Sequence, residues 1–434
     1  MNNEDFGRCA MIVVKEPQIK IADGKARISS AIDIPQEAYR TWVGRVRGLK
    51  NYKGYEKIYE YSTGMFELWY EVEEQYASCL CDERADAFVL AVLYFAMVTG
   101  EDIQSEGLVS NEFIHNVNTY LIPLHCNGRN GFRPVKIISE STSERLESHG
   151  ENGTGVSCGV DSFDTILTYM SSEMDQKHRL SVLTVFNVGA YDRLTDLLSC
   201  IRGEKQIQTC RERAEEWFRF ECLQGEKVAE ELGVKFLSVN SNLHELYQGM
   251  FLQSHSFRNC SAVLAVQKLF SHYYYASAGE PQNNIIDLMD NATDDVYLFS
   301  NETTRFYSGG MEKNRIEKMQ GIIDHPIVQK YLHVCSEKKD NCAKCGKCGR
   351  TLLILEILNR LDEFRPLFGN RDEIDTRMRK RYVWMLDQKK NNQFAADIYE
   401  YVRKNHVKIP VTARVYHLTY PLRKIARKIS FSGK

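Results

Sequence analysis

Residues 157–162 of this chain read Ser-Cys-Gly-Val-Asp-Ser, between a short strand-like segment and a helical pattern at about residues 163–170. Glycines within and just before the stretch let the backbone turn tightly and point successive N–H groups outward. The hydroxyls of Ser157 and Ser162 add further donors, and the following helix adds its positive N-terminal end. The stretch therefore predicts an anion-binding turn that leads from a strand into a helix.

Beyond this turn the sequence alternates between strand and helix patterns. Strands are predicted at residues 180–188, 234–239 and 273–278, and helices at about 210–232 and 257–270. This alternation predicts an α/β fold, in which a parallel sheet carries helices on both faces. In such sheets ligands bind at the carboxyl ends of strands, near the point where the strand order reverses. The stretch at residue 157 lies at such an end.

Three domains are predicted along the chain: residues 1–150, 151–360 and 361–434. In the first, alternation and apolar spacing predict strands at 11–14, 26–34 and 134–139 and helices at 82–98, ended by Gly100, and at 111–122. Residues 1–150 are thus predicted to form a separate α+β domain. The polar, glycine-bearing residues 140–155 are predicted to be a linker.

The third domain is predicted to be a helical, basic C-terminal extension. After Glu400 the chain has no acidic residue, and its basic residues there are Arg403, Lys404, Lys408, Arg414, Arg423, Lys424, Arg427, Lys428 and Lys434. Such an end suits contact with nucleic acid or with an acidic partner protein. A solvated basic helix remains an open alternative.

Four cysteines lie close together in a C-x6-C-x2-C-x2-C array, which is formed by Cys335, Cys342, Cys345 and Cys348. Paired C-x2-C steps let the backbone fold round one ion, so that four thiolates meet at about 2.3 Å from zinc. Neighbouring lysines and arginines favour the thiolate forms. The array predicts a structural zinc site, and an iron–sulfur cluster is the alternative that spacing leaves open.

Composition bounds the class of protein. The chain has 434 residues, 43% of them hydrophobic, and a net charge of −2, so no overall field favours nucleic acid or a membrane. The apolar stretch at residues 87–97 is too short to span a bilayer, and no secretory signal is evident. The 13 cysteines suit reduced thiols. A cytoplasmic protein is therefore expected.

The stretch at 157–162 resembles the Ser-Gly-Gly-x-Asp-Ser signature of the PP-loop ATP pyrophosphatases, which cleave ATP between the α and β phosphates. It is not a Walker A loop, since no Gly-Lys-Ser/Thr follows at the required spacing. The resemblance implies that the loop amides hold pyrophosphate and that Asp161 helps to place magnesium. Cys158 stands where the signature has its first glycine, and it fits there if its φ is negative.

With the cysteine array included, residues 156 to about 355 resemble the 7-cyano-7-deazaguanine synthase family of PP-loop enzymes, which ends in a four-cysteine zinc site of similar spacing. Phe257-Arg258-Asn259 resembles that family's Arg-Asn motif, and residues 298–318 correspond to its substrate-side segment. The resemblance implies a PP-loop (HUP-type) fold with ATP, Mg²⁺ and Zn²⁺ as cofactors.

The resemblance implies a role for each matched residue. The nucleotide-binding set is Ser157, Cys158, Gly159, Val160, Asp161, Ser162 and Asn259; the catalytic set is Asp161, Arg258 and Lys318. Arg315 is a weaker candidate than Lys318 for reaching the phosphates. Simpler roles stay open: Asp161 and Ser162 as helix caps, Arg258 as a surface ion-pair partner, and Lys318 as a solvated helix residue.

The expected function is that of an AMP-forming, ATP-dependent C–N ligase acting on a small carboxylate or a 7-deazapurine. Enlarged relatives in bacterial defence systems imply a variant in which an activated deazaguanine is joined to a partner protein, recruited by the N-terminal domain. One alternative is sulfur transfer, with Cys158 or Cys260 carrying persulfide. Another is a nucleotide-binding scaffold without turnover. A homodimer and contact with nucleic acid through the tail are left open, and no membrane contact is expected.

Overall fold

The computed structural model describes residues 11–50, 64–127, 131–191, 203, 206–247, 250–277, 295–369 and 371–419. These residues fall into two compact units. The sheet unit comprises the described parts of 1–156, 168–277 and 284–309, and the cysteine unit comprises those of 157–167 and 310–434. The basic residues from Arg423 onwards, which were predicted to suit contact with nucleic acid or an acidic partner, lie outside the described residues.

The strands are β1 (Ile12–Val14), β2 (Gln18–Ala22), β3 (Lys25–Ile34), β4 (Gly64–Glu73), β5 (Ile103–Ser105), β6 (Val109–Ser110), β7 (Ile137–Ile138), β8 (Ser141–Thr142), β9 (Glu151–Gly155), β10 (Val182–Phe186), β11 (Lys235–Ser241), β12 (Phe270–Ala276) and β13 (Arg305–Gly309). The α-helices are α1 (Gln36–Lys50), α2 (Asp86–Thr99), α3 (Asn111–Asn116), α4 (Ile122–Asn127), α5 (Val160–Met170), α6 (Ile207–Leu232), α7 (Leu243–Tyr247), α8 (Phe251–Ala265), α9 (Arg315–Ile322), α10 (Pro326–Tyr331), α11 (Gly346–Ile357), α12 (Leu361–Phe364), α13 (Arg371–Gln388), α14 (Gln393–Lys404) and α15 (Val411–Leu418).

The sheet unit is built on one sheet of 11 strands in the order β13-β12-β9-β10-β11-β4-β3-β1-β5-β7, with β2 paired to β3. Strands β13 to β11 along this order are all parallel, as are β1, β5 and β7. The α/β class with a mostly parallel central sheet is thus confirmed. The apolar run that predicted a buried strand is β10, all of whose residues are buried.

The strand order reverses at β9. From β9 the chain adds β10 and β11 on one side and then β12 and β13 on the other. In open α/β sheets, ligands bind outside the carboxyl ends of strands at such a reversal. The chain runs from this end of β9 directly into residues 157–162.

The linker predicted at residues 140–155 is wrong, because it contains β8 and the central strand β9. The sequence of β9 lacks the apolar residues that mark a buried strand, and small residues take their place. A Cβ at Gly153 would lie 2.5 Å from Cε1 of Phe270, so glycine lets that ring pack on the strand. Thr154 is fully buried and donates its hydroxyl to the carbonyl of Tyr274 at 2.6 Å.

The N-terminal strands belong to this same sheet. β4 pairs antiparallel with β11, where Ser241 faces Tyr70. The boundary predicted at residue 150 therefore differs from the division in the structure, because hydrogen bonds between strands distant in sequence join the two predicted domains. The helix predicted to end at Gly100 is α2, whose residues are all buried and whose cap has φ +83°.

Helical segments make up most of the cysteine unit. The extension predicted to be helical contains α12 to α15. Asn314 and Glu317 form a capping box that begins α9, and Asn392 accepts a hydrogen bond from the N–H of Ala395 at the start of α14. Among the described residues, no helix is long and apolar enough to cross a membrane.

Candidate functional site

The turn at 157–162 is stabilised by its own hydroxyls. Ser157 Oγ donates to Ser162 Oγ at 3.3 Å, and Ser162 Oγ donates to the carbonyl of Gly159 at 3.1 Å. That carbonyl also accepts the N–H of Phe163 at 3.0 Å, the first hydrogen bond of α5. Because the first N–H groups of a helix have no acceptor within the helix, this end can receive an anion. Ser162 thus supports the turn as well as lying in the first turn of the helix.

Cys158 adopts a left-handed backbone conformation, with φ +53°. The condition of a negative φ, under which a cysteine would fit here without strain, is therefore not met. A left-handed residue other than glycine costs about 1–2 kcal/mol, which explains why the resembling signature has glycine here. The Cys158 side chain is buried, and its carbonyl accepts the N–H of His333 at 2.9 Å. This bond connects the turn to the segment that carries the four cysteines.

Asp161 lies against two cations from α9. Its Oδ2 is 2.7 Å from Nη2 of Arg315, and its Oδ1 is 3.5 Å from Nζ of Lys318. Lys318 is 0% exposed, so the alternative that it is a solvated helix residue is wrong. Burial lowers the pKa of Lys318, while the charges of Asp161 and Asp164 oppose that shift. Both cations predicted for this wall are thus beside the turn.

Asp164, one helical turn after Asp161, is a second acid of this site. It is buried, and its Oδ1 accepts a hydrogen bond from Nζ of Lys313 at 3.0 Å. Burial raises the pKa of Asp164, which the hydrogen bond from Lys313 opposes. Gly310 lies close by with φ +71°, and a Cβ on it would be 2.7 Å from Oδ2 of Asp164 and 3.2 Å from Nζ of Lys318.

Gly310→Ala is expected to lower the free energy of unfolding by about 2–3 kcal/mol, since it adds a clash to left-handed strain. Gly24→Ala is the matched control, because Gly24 has φ +74° and open space where its Cβ would be. The control is expected to cost only about 1 kcal/mol. Urea unfolding of both variants measures the difference. Equal losses would contradict close packing of Gly310 on Asp164.

Lys347 and Arg350, on α11, add two more cations. Burial and the nearby Arg315 lower the pKa of Arg350 to about 10. Burial together with Arg315 and Arg350 lowers the pKa of Lys347, and Asp161 acts in the opposite direction. No carboxylate among the described residues pairs with Lys347 or Arg350. We call Arg315, Lys318, Lys347 and Arg350 the cation cluster. Its positive charge exceeds the negative charge of Asp161 and Asp164, and such an excess is typical of a phosphate site.

The four cysteines come together as predicted. Their Sγ atoms lie within 4.8 Å of one another, with Cys335 and Cys345 4.0 Å apart and Cys342 and Cys348 3.9 Å apart. A tetrahedral ion with bonds of about 2.3 Å needs sulfur atoms about 3.8 Å apart. The donor set and its spacing therefore fit a single zinc ion.

Backbone N–H groups point at the sulfurs. Lys338 N–H lies 3.3 Å from Sγ of Cys335, and Cys345 N–H lies 3.3 Å from Sγ of Cys342. Hydrogen bonding from Cys348 lowers the pKa of Cys345 to about 4. Such donors stabilise thiolates, the form that binds metal. An iron–sulfur cluster would spread its cysteines over two or four iron atoms, so this close set favours a single-ion site over the cluster alternative.

Other side chains brace the cysteine segment. Arg381, buried on α13, donates from Nη2 to the carbonyl of Ala343 at 2.9 Å and from Nη1 to that of Ile374 at 2.6 Å. Ala343 itself is left-handed, with φ +57°. Asn341 donates to the carbonyl of Leu332 at 2.8 Å. These contacts hold the segment at Asn341, just before the turn from Cys342 to Cys345, and at Ala343 within that turn.

Arg258 and Asn259 lie in the sheet unit. Arg258 is fully buried, donating to the carbonyl of Val188 at 3.1 Å and to Ser254 Oγ at 2.8 Å, with its Cζ 4.0 Å from the centre of the Tyr247 ring. The surface ion-pair alternative is therefore wrong. These contacts fix the turn after β10, which is a structural role. Asn259 donates to the carbonyl of His255 and to the Tyr275 hydroxyl, at 2.8 and 3.1 Å.

Sequence reasoning missed Asp164 and Lys313 as residues of this region. It credited Lys347 and Arg350 only with favouring thiolates. One signal was available for Asp164, since it is three positions after Asp161 and that spacing places both acids on one helix face. Lys347 and Arg350 alternate with cysteines, so their pattern was attributed to the metal site alone.

Comparisons with protein-family models, with curated proteins and with solved structures gave no significant match for this chain. The case for function therefore depends on the geometry of the turn, the cation cluster and the four cysteines.

Proposed function

We propose that this protein is an ATP pyrophosphatase of the PP-loop type, which activates a carboxylate by adenylation. The observation that carries the proposal is the cation cluster beside the N-terminal end of α5. Arg315 and Lys318 contact Asp161 directly, and the ring of Phe394 lies against both Arg315 and Arg350. Lys347 is one helical turn before Arg350 on α11. Helix amides and several cations on one spot suit the pyrophosphate part of ATP.

The proposed reaction has two steps. A carboxylate oxygen of the substrate bonds to the α-phosphorus of ATP, the bond from that phosphorus to the bridging oxygen breaks, and pyrophosphate leaves. Ammonia then attacks the activated carbonyl carbon, a proton is lost from nitrogen, and AMP leaves with the carboxylate oxygen. Negative charge grows on the departing pyrophosphate in the first step, so cations fixed around it lower the barrier.

The site residues of the cysteine unit each have a proposed role. The amides of residues 157–162 hold the pyrophosphate, with Ser157 and Ser162 shaping the turn. Lys318 and Arg315 bind it from α9, and Arg350 and Lys347 from α11. Oδ1 of Asp161 is buried, and its contact with Nζ of Lys318 is long at 3.5 Å, which fits a ligand for magnesium. Magnesium, when bound, neutralises phosphate oxygens and stabilises in-line displacement.

The resemblance to 7-cyano-7-deazaguanine synthases supports a 7-deazapurine carboxylate as the acceptor and zinc as the ion at the four cysteines. A variant of this proposal is that the activated deazaguanine is joined to a partner protein in a defence system. Sulfur transfer through Cys260 is disfavoured, because burial raises its pKa well above the usual value and a persulfide carrier needs a reachable thiolate. Cys158 is buried as well. Amidation is therefore the version we favour.

Incubation with ATP, magnesium, ammonium and 7-carboxy-7-deazaguanine, followed by mass spectrometry, tests the proposal. We expect AMP, pyrophosphate and conversion of the carboxylate to the amide. Conversion of the amide to the nitrile would consume a second ATP, which carries the amide oxygen away on AMP. Lys347→Gln is expected to reduce AMP release about tenfold, through loss of one charge-assisted contact to phosphate. Lys380→Gln is the control, because Lys380 is a helical lysine of α13 that is exposed and does not belong to the cation cluster.

The other outcomes separate the alternatives. AMP release with a different acceptor would keep the adenylation and discard the deazapurine. Formation of a thiolated product when a sulfur donor replaces ammonium would favour sulfur transfer. Nucleotide binding without AMP for any acceptor would contradict the proposal and favour the scaffold.

A further inference from the structure

Phe394 is an aromatic residue of the C-terminal extension that lies against two arginines of the cation cluster. It is the second residue of α14 and is half-buried. Cζ of Arg350 is 3.8 Å from the centre of its ring, and Cζ of Arg315 is 5.4 Å from the same centre. Both distances lie within the range of about 6 Å in which a guanidinium is attracted to an aromatic ring.

The ring therefore connects the two helices that supply the cation cluster. Arg315 belongs to α9 and is bound to Asp161 at 2.7 Å, while Arg350 belongs to α11. A second contact joins α14 to α9, because Gln320 donates to the Tyr401 hydroxyl at 3.1 Å. Phe394 and Tyr401 are seven residues apart and so lie on one face of α14.

A ring suits this position better than a carboxylate does. Two guanidinium groups close together repel each other and need an attractive neighbour to stay in place. Asp161 already takes one N–H donor of Arg315, and a further carboxylate would compete with phosphate for those that remain. An aromatic face attracts the cation without using its N–H groups, which remain directed outward in the plane of the guanidinium.

We propose that Phe394 is a positioning residue for pyrophosphate, which holds Arg315 and Arg350 in the orientation that binds it. The C-terminal extension is then part of the nucleotide site. This inference rests on the proposed function, because it deepens the role given to the cation cluster. Phe394 acts through the arginines and does not itself contact phosphate.

The test is calorimetric binding of inorganic pyrophosphate to the full-length, metal-loaded protein. Phe394→Leu is expected to weaken binding about tenfold, and Phe394→Tyr, which keeps the ring, to stay within about twofold of wild type. Tyr399→Leu is the matched control, since Tyr399 is on the same helix and has Nζ of Lys389, which is not a member of the cation cluster, 3.8 Å from its ring centre. We expect the control to bind like wild type.

A double-mutant cycle separates positioning from folding. If Phe394 acts through Arg350, Phe394→Leu added to Arg350→Gln should weaken binding much less than Phe394→Leu alone. Should Phe394→Leu fail to fold, Phe394→Met replaces it as a non-aromatic side chain of similar size. Normal binding by a folded non-aromatic variant, or additive effects in the cycle, would overturn the inference and leave the proposed function standing. Absence of binding by wild type would overturn both.

Discussion

Cys345→Ala is expected to unfold the cysteine unit. Closing a structural zinc site contributes on the order of 10 kcal/mol of folding free energy, which is comparable to the whole stability of a typical domain. Without the ion, four thiol sulfurs within 4.8 Å of one another in a partly buried site gain nothing that offsets their desolvation. Chelation of the metal from the wild-type protein should have the same result.

The measurement is zinc content together with thermal unfolding and limited proteolysis of residues 310–419. Cys126→Ala serves as the control, because Cys126 is also a half-buried cysteine but lies in α4. The variant at position 345 should lose its metal and become sensitive to protease, while the control keeps both metal and resistance. A Cys345→Ala protein that melts like wild type would show that the array is not structural.

Asp161→Asn is expected to separate binding from turnover. Magnesium-dependent AMP release should fall about a thousandfold, which corresponds to about 4 kcal/mol in the barrier. Binding of pyrophosphate without magnesium should instead become tighter, because the substitution removes the negative charge that Arg315 and Lys318 now contact. Single-turnover assays and calorimetry measure the two quantities separately.

Asp372→Asn is the control for that variant. Asp372 is likewise an aspartate in the first turn of its helix, α13, and it is exposed. Loss of favourable charge at a helix start costs less than about 1 kcal/mol, so this variant should behave like wild type in both assays. Unchanged turnover in Asp161→Asn would refute the assignment of residues 157–162 to the nucleotide.

The sequence predicted those helices and strands whose own residues indicate whether they are buried. β10 is a continuous apolar run and is buried throughout, and α2 is apolar on every side and ends at a left-handed glycine. β9 was missed because its burial comes from Gly153 and Thr154, which are small rather than apolar. Pairing between β4 and β11 depends on residues about 170 positions apart, and no local pattern reports it.

For the candidate site too, the sequence predicted what contiguous residues form and did not predict contacts between distant segments. The turn and the cysteine array are contiguous motifs, and their residues came together as expected. The cation cluster draws on α9 and α11 around Asp161, and the ring of Phe394 comes from yet another segment. Packing decides which lysines and arginines of a charged sequence come together. The sequence therefore predicted only Lys318 and Arg315 as cations near the phosphates. The left-handed φ of Cys158 was likewise set by the turn and not by the residue.

The pairing of β4 with β11 also sets the order in which the newly made chain can finish folding. Until Asn240 and Ser241 have left the ribosome, β4 can pair only with β3, and its other edge at Tyr70 and Glu71 has no partner strand. An unpaired strand edge recruits other chains, and contacts between distant residues form slowly. While most of its sheet unit is being synthesised, a nascent chain of this protein therefore exposes an unpaired strand edge that can pair with other chains. We expect chaperones to bind the chain at this stage.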